Sequence, residues 1–371
     1  MPPRIAVFMA TSGHSGVDRA MQHLIPELAR RGYAVDLLKV RNHGPELSEI
    51  PQGVHIIDLG ASHVYTSLPA VIRYLHRKHP IVMLSDKDRV NRTALLARAL
   101  ARVPTRLVLS SGTTISIDLN NRGPFERWLQ RTSMGKLYHL ADKVIVTSKG
   151  VADDMASYTG LARDLIEVIP SPVIAKDVFT KPQPCPDHPW LQDKKVPVVL
   201  GAGALTYVKD FQTLIRAFAQ VRADRACKLI ILGKGKLRDT LLNLAAELGV
   251  KNDISLPGFI PKPYGYMAHS SLFVLSSRWE GLGFVLIEAL ATGTPVVSTD
   301  CQSGPREILQ DGKYGRLVPV GNIDALAEAI NKTLDNPLPK EFLQQAARPY
   351  EIGISTTEYL RAMGLDSKWD Q

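Results

Sequence analysis

The chain has 371 residues, of which 45% are hydrophobic and 22% are charged, so its composition excludes long disordered tracts and allows two globular domains. Its net charge of +9 is uneven, because residues 1–180 hold 23 lysines and arginines against 16 aspartates and glutamates, a net +7. The basic half favours an anionic partner. An anionic membrane face or a lipid diphosphate fits better than nucleic acid, since no helix-turn-helix, zinc or RNA-recognition motif is present. A generally basic protein is the alternative.

The cysteines and the hydropathy of the chain indicate the cellular compartment of the protein. The three cysteines are widely spaced and form no Cys-x-x-Cys pair, which indicates a reducing environment. No run approaches the roughly 18 apolar residues of a spanning helix, and the first strand pattern starts at Ile5 without a leader. We expect a cytoplasmic protein that is neither secreted nor integral to a membrane.

Strand and helix patterns alternate through the first half. Apolar strand patterns occupy residues 5–9, 33–39, 54–59, 81–84, 106–110 and 141–148, with helical spacing between several of them. This alternation predicts a parallel sheet with helices on both faces, whose ligands gather at the carboxyl ends of the strands.

A glycine-containing loop follows the first strand, with Gly13 and Gly16 ahead of a helical pattern. Such a strand, turn and helix start can hold phosphate, because glycine allows close backbone approach. The third glycine of a dinucleotide fingerprint is missing, which disfavours a dehydrogenase. A plain turn between strand and helix is the alternative.

Two acidic residues, Asp86 and Asp88, follow the strand at residues 81–84 and form an Asp-x-Asp pattern. Two carboxylates without a third ligand make a poor metal site. We therefore expect turn and N-cap roles for them.

The helical segment at residues 123–139 interleaves Trp128 and Leu129 with arginines and lysine. The pattern favours a helix that faces the core and has a solvated basic face. The alternative is a basic amphipathic stretch that lies in a bilayer interface.

A proline-rich segment at residues 181–194 cannot form a helix or sheet interior, so the sequence predicts a linker there. Beyond it, residues 271–307 predict a strand at 272–275, a break at Gly281 and Gly283, a helix at 284–292 and a strand at 295–298.

Two glutamates, Glu280 and Glu288, stand eight positions apart in this unit. Glu288 lies in an otherwise apolar helix, where a carboxylate needs a hydrogen-bonding partner. The helix start provides backbone N–H groups for phosphate, and the two carboxylates can accept hydrogen bonds from hydroxyls. Diphosphate with hydroxyls suggests a nucleotide sugar. Alternatively, Glu280 caps the loop and Glu288 pairs with Arg278 or Arg306.

The segment from Glu280 to Glu288, with Gly-Leu-Gly-Phe between and residues 289–297 after it, resembles the Glu-x7-Glu signature of retaining glycosyltransferases of family four. Residues 300–309 and 311–320 extend the match. The resemblance implies an α/β protein of the GT-B fold, with two doubly wound Rossmann-like domains facing an interdomain cleft. It implies an N-terminal acceptor domain at 1–180, a linker at 181–194, a C-terminal nucleotide-sugar domain at 195–345, and a C-terminal helix at 346–371 that crosses back.

The resemblance also implies the reaction. A sugar would move from a nucleotide diphosphate sugar, with a UDP-sugar favoured, to a hydroxyl of a glycan or lipid-linked glycan in cell-surface polysaccharide synthesis. Anomeric configuration would be retained without a metal or cofactor, the nucleotide sugar being a co-substrate. The enzyme could contact the inner face of the cell membrane through its basic N-terminal domain. A non-catalytic or weakly active nucleotide-sugar-binding subunit is the alternative, whereas an epimerase or phosphorylase finds no support.

The resemblance also implies site residues at the positions that match the family's motifs. The catalytic pair would be Glu280 and Lys209, with a mere surface lysine as the alternative for Lys209. Acceptor contacts would come from Arg19, Ser111 and Thr113. The expected donor-binding residues are Gly13, Ser15, Gly16, Gly233, Phe259, Ile260, Gly281, Leu282, Gly283, Phe284, Val285 and Glu288.

Three of the positions at which this sequence departs from the family pattern bear on the expected site. Ala204 stands where relatives carry an arginine aimed at the leaving diphosphate, and Ser110 stands near the place of a histidine in the acceptor pocket. Ser15 replaces the first glycine of the N-terminal loop. Loss of one preorganised positive group can cost about 2.7–4 kcal/mol of transition-state stabilisation, so Ala204 points to an altered substrate, a compensating group or a weakened enzyme.

Overall fold

The computed structural model describes residues 2–11, 13, 16–41, 43–112, 114–116, 123–193 and 195–365. The chain divides into two compact units, one formed by residues 1–173 with 352–371 and the other by residues 174–351. Each unit is built on its own parallel sheet.

The first unit contains a sheet in the order β3-β2-β1-β4-β5-β6-β7. Neighbouring strands are parallel throughout. Its strands are β1 (Arg4–Met9), β2 (Ala34–Lys39), β3 (Val54–Asp58), β4 (Val82–Asp86), β5 (Arg106–Ser111), β6 (Lys143–Val146) and β7 (Ile166–Val168). The helices described before residue 173 are α1 (Gly16–Arg30), α2 (Leu68–Lys78), α3 (Asp88–Ala101), α4 (Pro124–Leu137) and α5 (Lys149–Thr159).

The second unit contains a sheet in the order β10-β9-β8-β11-β12-β13, again parallel. Its strands are β8 (Val198–Ala202), β9 (Lys228–Leu232), β10 (Ile254–Gly258), β11 (Leu272–Leu275), β12 (Val296–Thr299) and β13 (Arg316–Val318). Its helices are α6 (Lys176–Thr180), α7 (Pro189–Asp193), α8 (Phe211–Asp224), α9 (Arg238–Glu247), α10 (Tyr264–His269), α11 (Phe284–Thr292), α12 (Pro305–Ile308), α13 (Ile323–Asp335) and α14 (Lys340–Ala347).

Both faces of the first sheet are buried. Along β1, Ala6 and Phe8 join one hydrophobic cluster while Ile5, Val7 and Met9 join another on the opposite face. Alternate residues of a strand point to opposite faces, so an uninterrupted apolar strand needs helices on both sides. This is why the first half of the sequence reads as apolar strands alternating with amphipathic helices.

The strand order reverses once in each sheet, between β1 and β4 in the first and between β8 and β11 in the second. At such a switch point the loops leave in opposite directions and open a crevice at the carboxyl ends of the strands. The loops that begin after Met9, Asp86, Ala202 and Leu275 are therefore the places to look for ligands.

The division between the units lies at Val173 and Ile174, not in the proline-rich segment at 181–194. That segment packs on the second unit: the Gln183 carbonyl lies 3.0 Å from His269 Nε2, and His188 Nε2 lies 3.2 Å from Ser255 Oγ. Proline prevents pairing in a sheet but does not prevent packing on a surface. The predicted first domain, 1–180, therefore ends seven residues earlier.

The last described helix, α15 (Ile352–Ala362), belongs to the first unit. Arg31 beside α1 donates hydrogen bonds to the Gly353 carbonyl at 2.6 Å and to Thr357 Oγ1 at 2.8 Å. Tyr359 is 1% exposed within the core of that unit. The return to the first unit thus begins at residue 352, where the sequence predicted 346.

Candidate active site

The loops after β8 and β9 cross each other closely. A Cβ atom on Gly233 would lie 1.8 Å from the carbonyl oxygen of Gly203, and one on Gly235 would lie 2.4 Å from that of Leu205. Gly203 also packs against Lys209, whose Cγ would be 3.2 Å from an added Cβ. A side chain at Gly233 or Gly235 would overlap a backbone carbonyl oxygen, so these two crossings require glycine.

Lys209 and Glu280 form an ion pair at the switch point of the second sheet. Lys209 Nζ lies 2.5 Å from Glu280 Oε1, and Ser277 Oγ donates to the same oxygen at 2.6 Å. The side chains are 21% and 9% exposed, respectively. An ammonium group has three N–H donors, so the pairing leaves Lys209 able to donate to an anion as well. The two predicted catalytic residues are therefore in direct contact, and Lys209 is not a mere surface lysine.

Arg278 holds the two loops of this site together. Its Nη2 lies 3.0 Å from Asp210 Oδ2, its guanidinium carbon lies 4.3 Å from the ring centroid of Tyr207, and its backbone N–H donates to the Val208 carbonyl at 2.8 Å. These contacts join the loop after β11 to the loop that carries Lys209.

The two arginines proposed as alternative partners of Glu288 have other acidic partners. Arg278 pairs with Asp210, and Arg306 pairs with Asp300 and Asp311. Glu288 itself is fully buried within α11.

The helix α11 begins directly after the loop that carries Glu280. Gly283 is its N-cap residue with φ 93°, in the left-handed region where glycine is favoured, and its carbonyl accepts from the Leu286 N–H at 2.9 Å. Gly304 packs so closely that a Cβ atom there would lie 2.1 Å from the Leu282 carbonyl oxygen. The first turn of a helix presents N–H groups that have no partner within the helix, and its dipole favours negative charge. The expected donor residues Gly281, Leu282, Gly283, Phe284 and Val285 are contiguous at this helix start.

Cys301 lies close to the same carboxylate. Burial raises the pKa of the thiol to about 12, with a further rise from the charge of Glu280, while a hydrogen bond with Thr299 lowers it. Thr299 Oγ1 also donates to the Ser277 carbonyl at 2.6 Å, which ties the end of β12 to this loop. A thiol with so high a pKa is not a nucleophile at neutral pH.

The other expected donor residues of the second unit follow β9 and β10. The Gly233 N–H donates to the Gly258 carbonyl at 2.8 Å, and the residue after Gly258, Phe259, is 61% exposed. Ile260 is half-buried beside it. Ala204 is exposed and offers only a methyl group.

In the first unit, the expected phosphate loop joins β1 to α1. Gly13 has φ 85°, and Gly16 is the first residue of α1. Thr11 donates a hydrogen bond to the fully buried Asp18, which ties the first turn of α1 to the end of β1. Arg19 is half-buried in the same turn. Two predicted residues, Ser15 and Thr113, lie outside the described residues.

The turn and N-cap roles expected for Asp86 and Asp88 are wrong. Asp86 is the last residue of β4, and the N-cap of α3 is Lys87, which makes no side-chain capping bond. Asp88 instead accepts hydrogen bonds from Arg92 at 2.7 Å and from Gln130 at 2.6 Å. Arg92 lies four positions further along the same helix, whereas Gln130 on α4 is a tertiary partner that local spacing does not reveal.

Asp86, for which the sequence predicted only a turn or N-cap role, is buried at the carboxyl edge of the first sheet. It is 2% exposed, and burial raises the pKa of its carboxyl to about 6, while a hydrogen bond from Ser110 and the charge of Lys87 lower it. Asp86 lines a small cavity together with Ser111, the expected acceptor residue at the end of β5. The signal in the sequence was its place directly after a buried strand. Among the described residues, no group of three or more His, Cys, Asp or Glu side chains could hold a metal ion.

Two family models match the chain, one for each unit. Residues 15–172 match the glycosyl transferase 4-like domain, and residues 187–349 match the glycosyl transferases group 1.

Similar proteins span nearly the whole chain. An N-acetylgalactosamine-N,N'-diacetylbacillosaminyl-diphospho-undecaprenol 4-alpha-N-acetylgalactosaminyltransferase of Campylobacter jejuni is 30% identical over 361 residues, 92% of this chain and 93% of that protein. The amylovoran biosynthesis glycosyltransferase AmsD of Erwinia amylovora is 26% identical and covers 90% of this chain and 91% of its own length.

Solved structures agree on the fold. HepE of Anabaena in complex with UDP aligns with a TM-score of 0.77 at 17% identity, covering 98% of this chain and 99% of that chain. A glycosyltransferase from Rickettsia africae aligns with a TM-score of 0.79 at 17% identity, covering 98% of both chains. Two Rossmann-type units, each matched by its own family model, and a relative of this identity and coverage lead to one conclusion: the chain belongs to the group 1, family 4-type glycosyltransferases of the GT-B fold.

Proposed function

We propose that this protein transfers a sugar from a nucleotide diphosphate sugar to a hydroxyl acceptor with retention of anomeric configuration. The observation that carries the proposal is the contact between Lys209 and Glu280, 2.5 Å apart at the carboxyl edge of the second sheet. A cation and a carboxylate held side by side next to a helix N-terminus match a ligand that combines phosphates with hydroxyls.

The second unit binds the donor in this proposal. Lys209 and the first turn of α11, near Gly283 and Val285, hold the diphosphate and stabilise the charge that develops as it departs. Lys209 and Ser277 both contact Glu280 at Oε1, so Oε2 is the oxygen that accepts hydrogen bonds from the donor sugar. Glu288 contacts the ribose, while Gly233, Phe259 and Ile260 border the base.

The first unit binds the acceptor in this proposal. Arg19, Ser111 and Thr113 contact it, and the loop of Gly13, Ser15 and Gly16 adds backbone N–H groups for the diphosphate. The departing phosphate itself takes the acceptor proton, so retention needs no side-chain base near Ser110. Nuclear magnetic resonance of the product tests retention, because an inverted anomeric proton coupling would overturn it.

The donor nucleotide is uridine diphosphate in this proposal. Anabaena HepE was solved with UDP and with UDP-glucose, and its fold matches this chain. Lys209 and the helix start supply the positive charge that a metal ion supplies to diphosphates in other sites. We therefore expect no resident metal or other cofactor, and activity unchanged by ethylenediaminetetraacetate checks this.

The acceptor is a glycan or a lipid-linked glycan of cell-surface polysaccharide synthesis in this proposal. The Campylobacter relative acts on a sugar carried by diphospho-undecaprenol, and AmsD acts in amylovoran biosynthesis. The net charge of +7 over residues 1–180 suits an acceptor that carries a diphosphate.

In this proposal, an enzyme that acts on a lipid-linked acceptor also contacts the anionic inner face of the cell membrane. Helix α4 supports it, because Phe125, Trp128 and Leu129 are 73%, 60% and 47% exposed. Arg127 and Arg131 on the same helix are also exposed. Aromatic side chains beside basic ones suit the boundary between head groups and acyl chains. No helix in the described part of the chain has both the length and the hydropathy to cross a bilayer.

The experiment is incubation of the purified protein with a panel of UDP-sugars and a membrane lipid extract, followed by mass spectrometry of the products. We expect UDP release and a lipid product heavier by one sugar, both lost in Glu280→Gln and Glu288→Gln. The matched control is Glu328→Gln, which alters an exposed glutamate paired with Lys332 on α13. Full turnover in both site variants would overturn the assignment.

One observation favours a second function, that of a nucleotide-sugar-binding subunit with little activity. Ala204 provides no charge where relatives carry arginine, so the departing diphosphate would have one cation fewer. UDP-sugar binding measured by calorimetry, without UDP release in any acceptor mixture, would select this alternative. Restoring the cation as Ala204→Arg would then raise turnover.

A further inference from the structure

A small cavity lies at the carboxyl edge of the first sheet. It has a volume of about 50 Å³, enough for about three water-sized groups and too small for a whole sugar ring. Its polar wall residues are Asp86, Lys87, Asp88, Ser111, Gln130 and Tyr138. All of these residues belong to the first unit.

One carboxylate oxygen of a wall residue lacks a hydrogen-bond partner. Asp86 is 2% exposed, and its Oδ2 is buried without a hydrogen bond among the described residues. A buried carboxylate oxygen without a donor is costly, so it marks a place where an outside group completes the hydrogen bonding.

The polar neighbours of Asp86 are already engaged with one another. Asp88 accepts from Arg92 and Gln130, and Asn91 donates to the Ser110 carbonyl at 3.1 Å and accepts from Ser85 at 2.7 Å. None of these side chains needs to move for the hydrogen bonding of Asp86 to be completed. A molecule in the cavity can therefore supply the donor that completes the hydrogen bonding of Asp86.

The charge around the cavity selects that donor. Asp86 has the carboxylates of Asp88 and Asp18 near it, with Lys87 as the cation beside it and the buried phenol of Tyr359 packed close from α15. Carboxylates repel an anionic group and accept a hydrogen bond from a neutral one. A hydroxyl fits both the size and the polarity of the space.

We propose that this cavity is a subsite for one hydroxyl-bearing substituent of the acceptor sugar, with the Asp86 carboxylate as the hydrogen-bond acceptor that selects a neutral substituent over an anionic one. The inference rests on the proposed function, because it gives the acceptor a place in the first unit. It adds a specificity-determining residue that the sequence pattern did not assign.

The test measures binding rather than turnover, so it stands apart from the test of glycosyl transfer. Neutral methyl glycosides (glucoside, galactoside and N-acetylgalactosaminide) and the anionic methyl glucuronide are titrated against the full chain in the presence of UDP, with ligand-observed magnetic resonance as the readout. We expect at least one neutral glycoside to bind the wild-type protein and the glucuronide to bind about 10-fold more weakly or not at all.

Variants then separate a role in specificity from a structural one. Asp86→Ala should lower the affinity for the neutral glycoside by about 10- to 100-fold, as expected for a lost hydrogen bond to a charged group. Asp86→Asn should weaken it less and should also let the methyl glucuronide bind, a gain that a merely structural residue would not produce. The matched control is Asp153→Asn, an exposed aspartate of the same unit that pairs with Arg163.

Two outcomes would overturn the inference: no neutral glycoside binds the wild-type protein, or both Asp86 variants keep its affinities and its selectivity. Affinity for UDP reports separately on donor binding, so UDP binding with no glycoside effect contradicts the subsite alone. Should the variants fail to fold, the wild-type protein decides: glycoside affinity must fall below about pH 6, where Asp86 takes up a proton, while UDP affinity does not. Glycoside affinity that is flat from pH 5 to pH 8 contradicts the subsite.

Discussion

Lys209 Nζ lies 2.5 Å from Glu280 Oε1, although 71 residues separate the two in the chain. The strand order of the second sheet explains the contact, because β8 and β11 are neighbours and the two loops leave from their carboxyl ends. Donors and acceptors fixed in this way before the ligand arrives need no reorganisation during the reaction. The pair is thus a preorganised unit and not two separate ligands.

Replacing Glu280 by glutamine should lower the rate of transfer about 100- to 1000-fold, as loss of one preorganised polar group does in comparable sites. Lys209→Ala should lower it by a similar factor, and the double variant should lose less than the product of the two, because each change removes the same contact. The measurement is UDP release under saturating donor. If the two single losses of rate multiplied in the double variant, Lys209 and Glu280 would be acting independently and not as a pair.

Gly233→Ala should destabilise the second unit by about 3 kcal/mol or more, because the new Cβ would lie 1.8 Å from the Gly203 carbonyl oxygen at a residue with φ 148°. Thermal unfolding followed by circular dichroism measures the effect. Gly123→Ala is the matched control, since that glycine has φ −61° and no atom within 4 Å of an added Cβ. Equal melting temperatures for the two variants would show that the backbone crossing is not rigid.

Asp210 should tolerate asparagine far better than alanine. The residue has φ 46° and caps α8, its carboxylate accepting from Thr213 Oγ1 at 2.9 Å and pairing with Arg278. Asparagine keeps the cap and adopts the left-handed region, whereas alanine loses the cap and is strained there. We expect a loss of about 1 kcal/mol for Asp210→Asn and about 2 kcal/mol or more for Asp210→Ala in urea unfolding. The reverse order would contradict the capping role.

Exposed aromatic residues on α4 should hold the protein on anionic vesicles. Phe125→Ser with Trp128→Ser should lower co-sedimentation with vesicles of phosphatidylglycerol and phosphatidylcholine by about 10-fold or more, because each buried aromatic side chain contributes about 1.5–3 kcal/mol. Leu338→Ser is the control, since Leu338 is 37% exposed in the other unit. Equal sedimentation of the double variant and the control would remove α4 from the membrane contact.

The sequence predicted those parts of the fold that depend on local periodicity. The predicted helix at 284–292 and strand at 272–275 coincide with α11 and β11, because apolar spacing and flanking glycines set their ends. The unit boundary at Val173 was not predictable in this way, since it depends on where the proline-rich segment packs. Proline content says that a segment is irregular, but not which surface holds it.

The candidate site shows the same division. Lys209 and Glu280 were predicted as residues, yet their contact is a property of strand order, which periodicity does not give. Asp86 was predicted as a turn residue. Spacing alone cannot show that its neighbours on α3 and α4 form hydrogen bonds with one another, or that one carboxylate oxygen of Asp86 is left without a hydrogen bond. The sequence therefore did not predict the hydrogen bonds that polar groups form with residues far away in the chain.

The raised pKa of Asp86, about 6, makes a prediction about stability that is independent of any ligand. Burial disfavours the charged carboxylate in the folded state, so between pH 3.8 and about pH 6 the folded protein binds more protons than the unfolded chain. Stability from this group is therefore fully present below pH 3.8 and is lost as pH rises toward 6, by about 3 kcal/mol. Lys87 and the nearby Asp18 act in opposite directions on the same carboxyl.

Asp86→Asn removes this titration. The variant should therefore unfold at a higher urea concentration than the wild-type protein at pH 7, and the difference should shrink toward pH 4, where the wild-type carboxyl is protonated as well. Urea unfolding at pH 4, 5, 6 and 7 measures the effect, with the exposed control Asp153→Asn expected to follow the wild-type curve. A gain in stability together with weaker glycoside binding is typical of a residue kept for function at a cost to the fold. A variant less stable than the wild-type protein at pH 7 would instead mean that the folded protein favours the charged form.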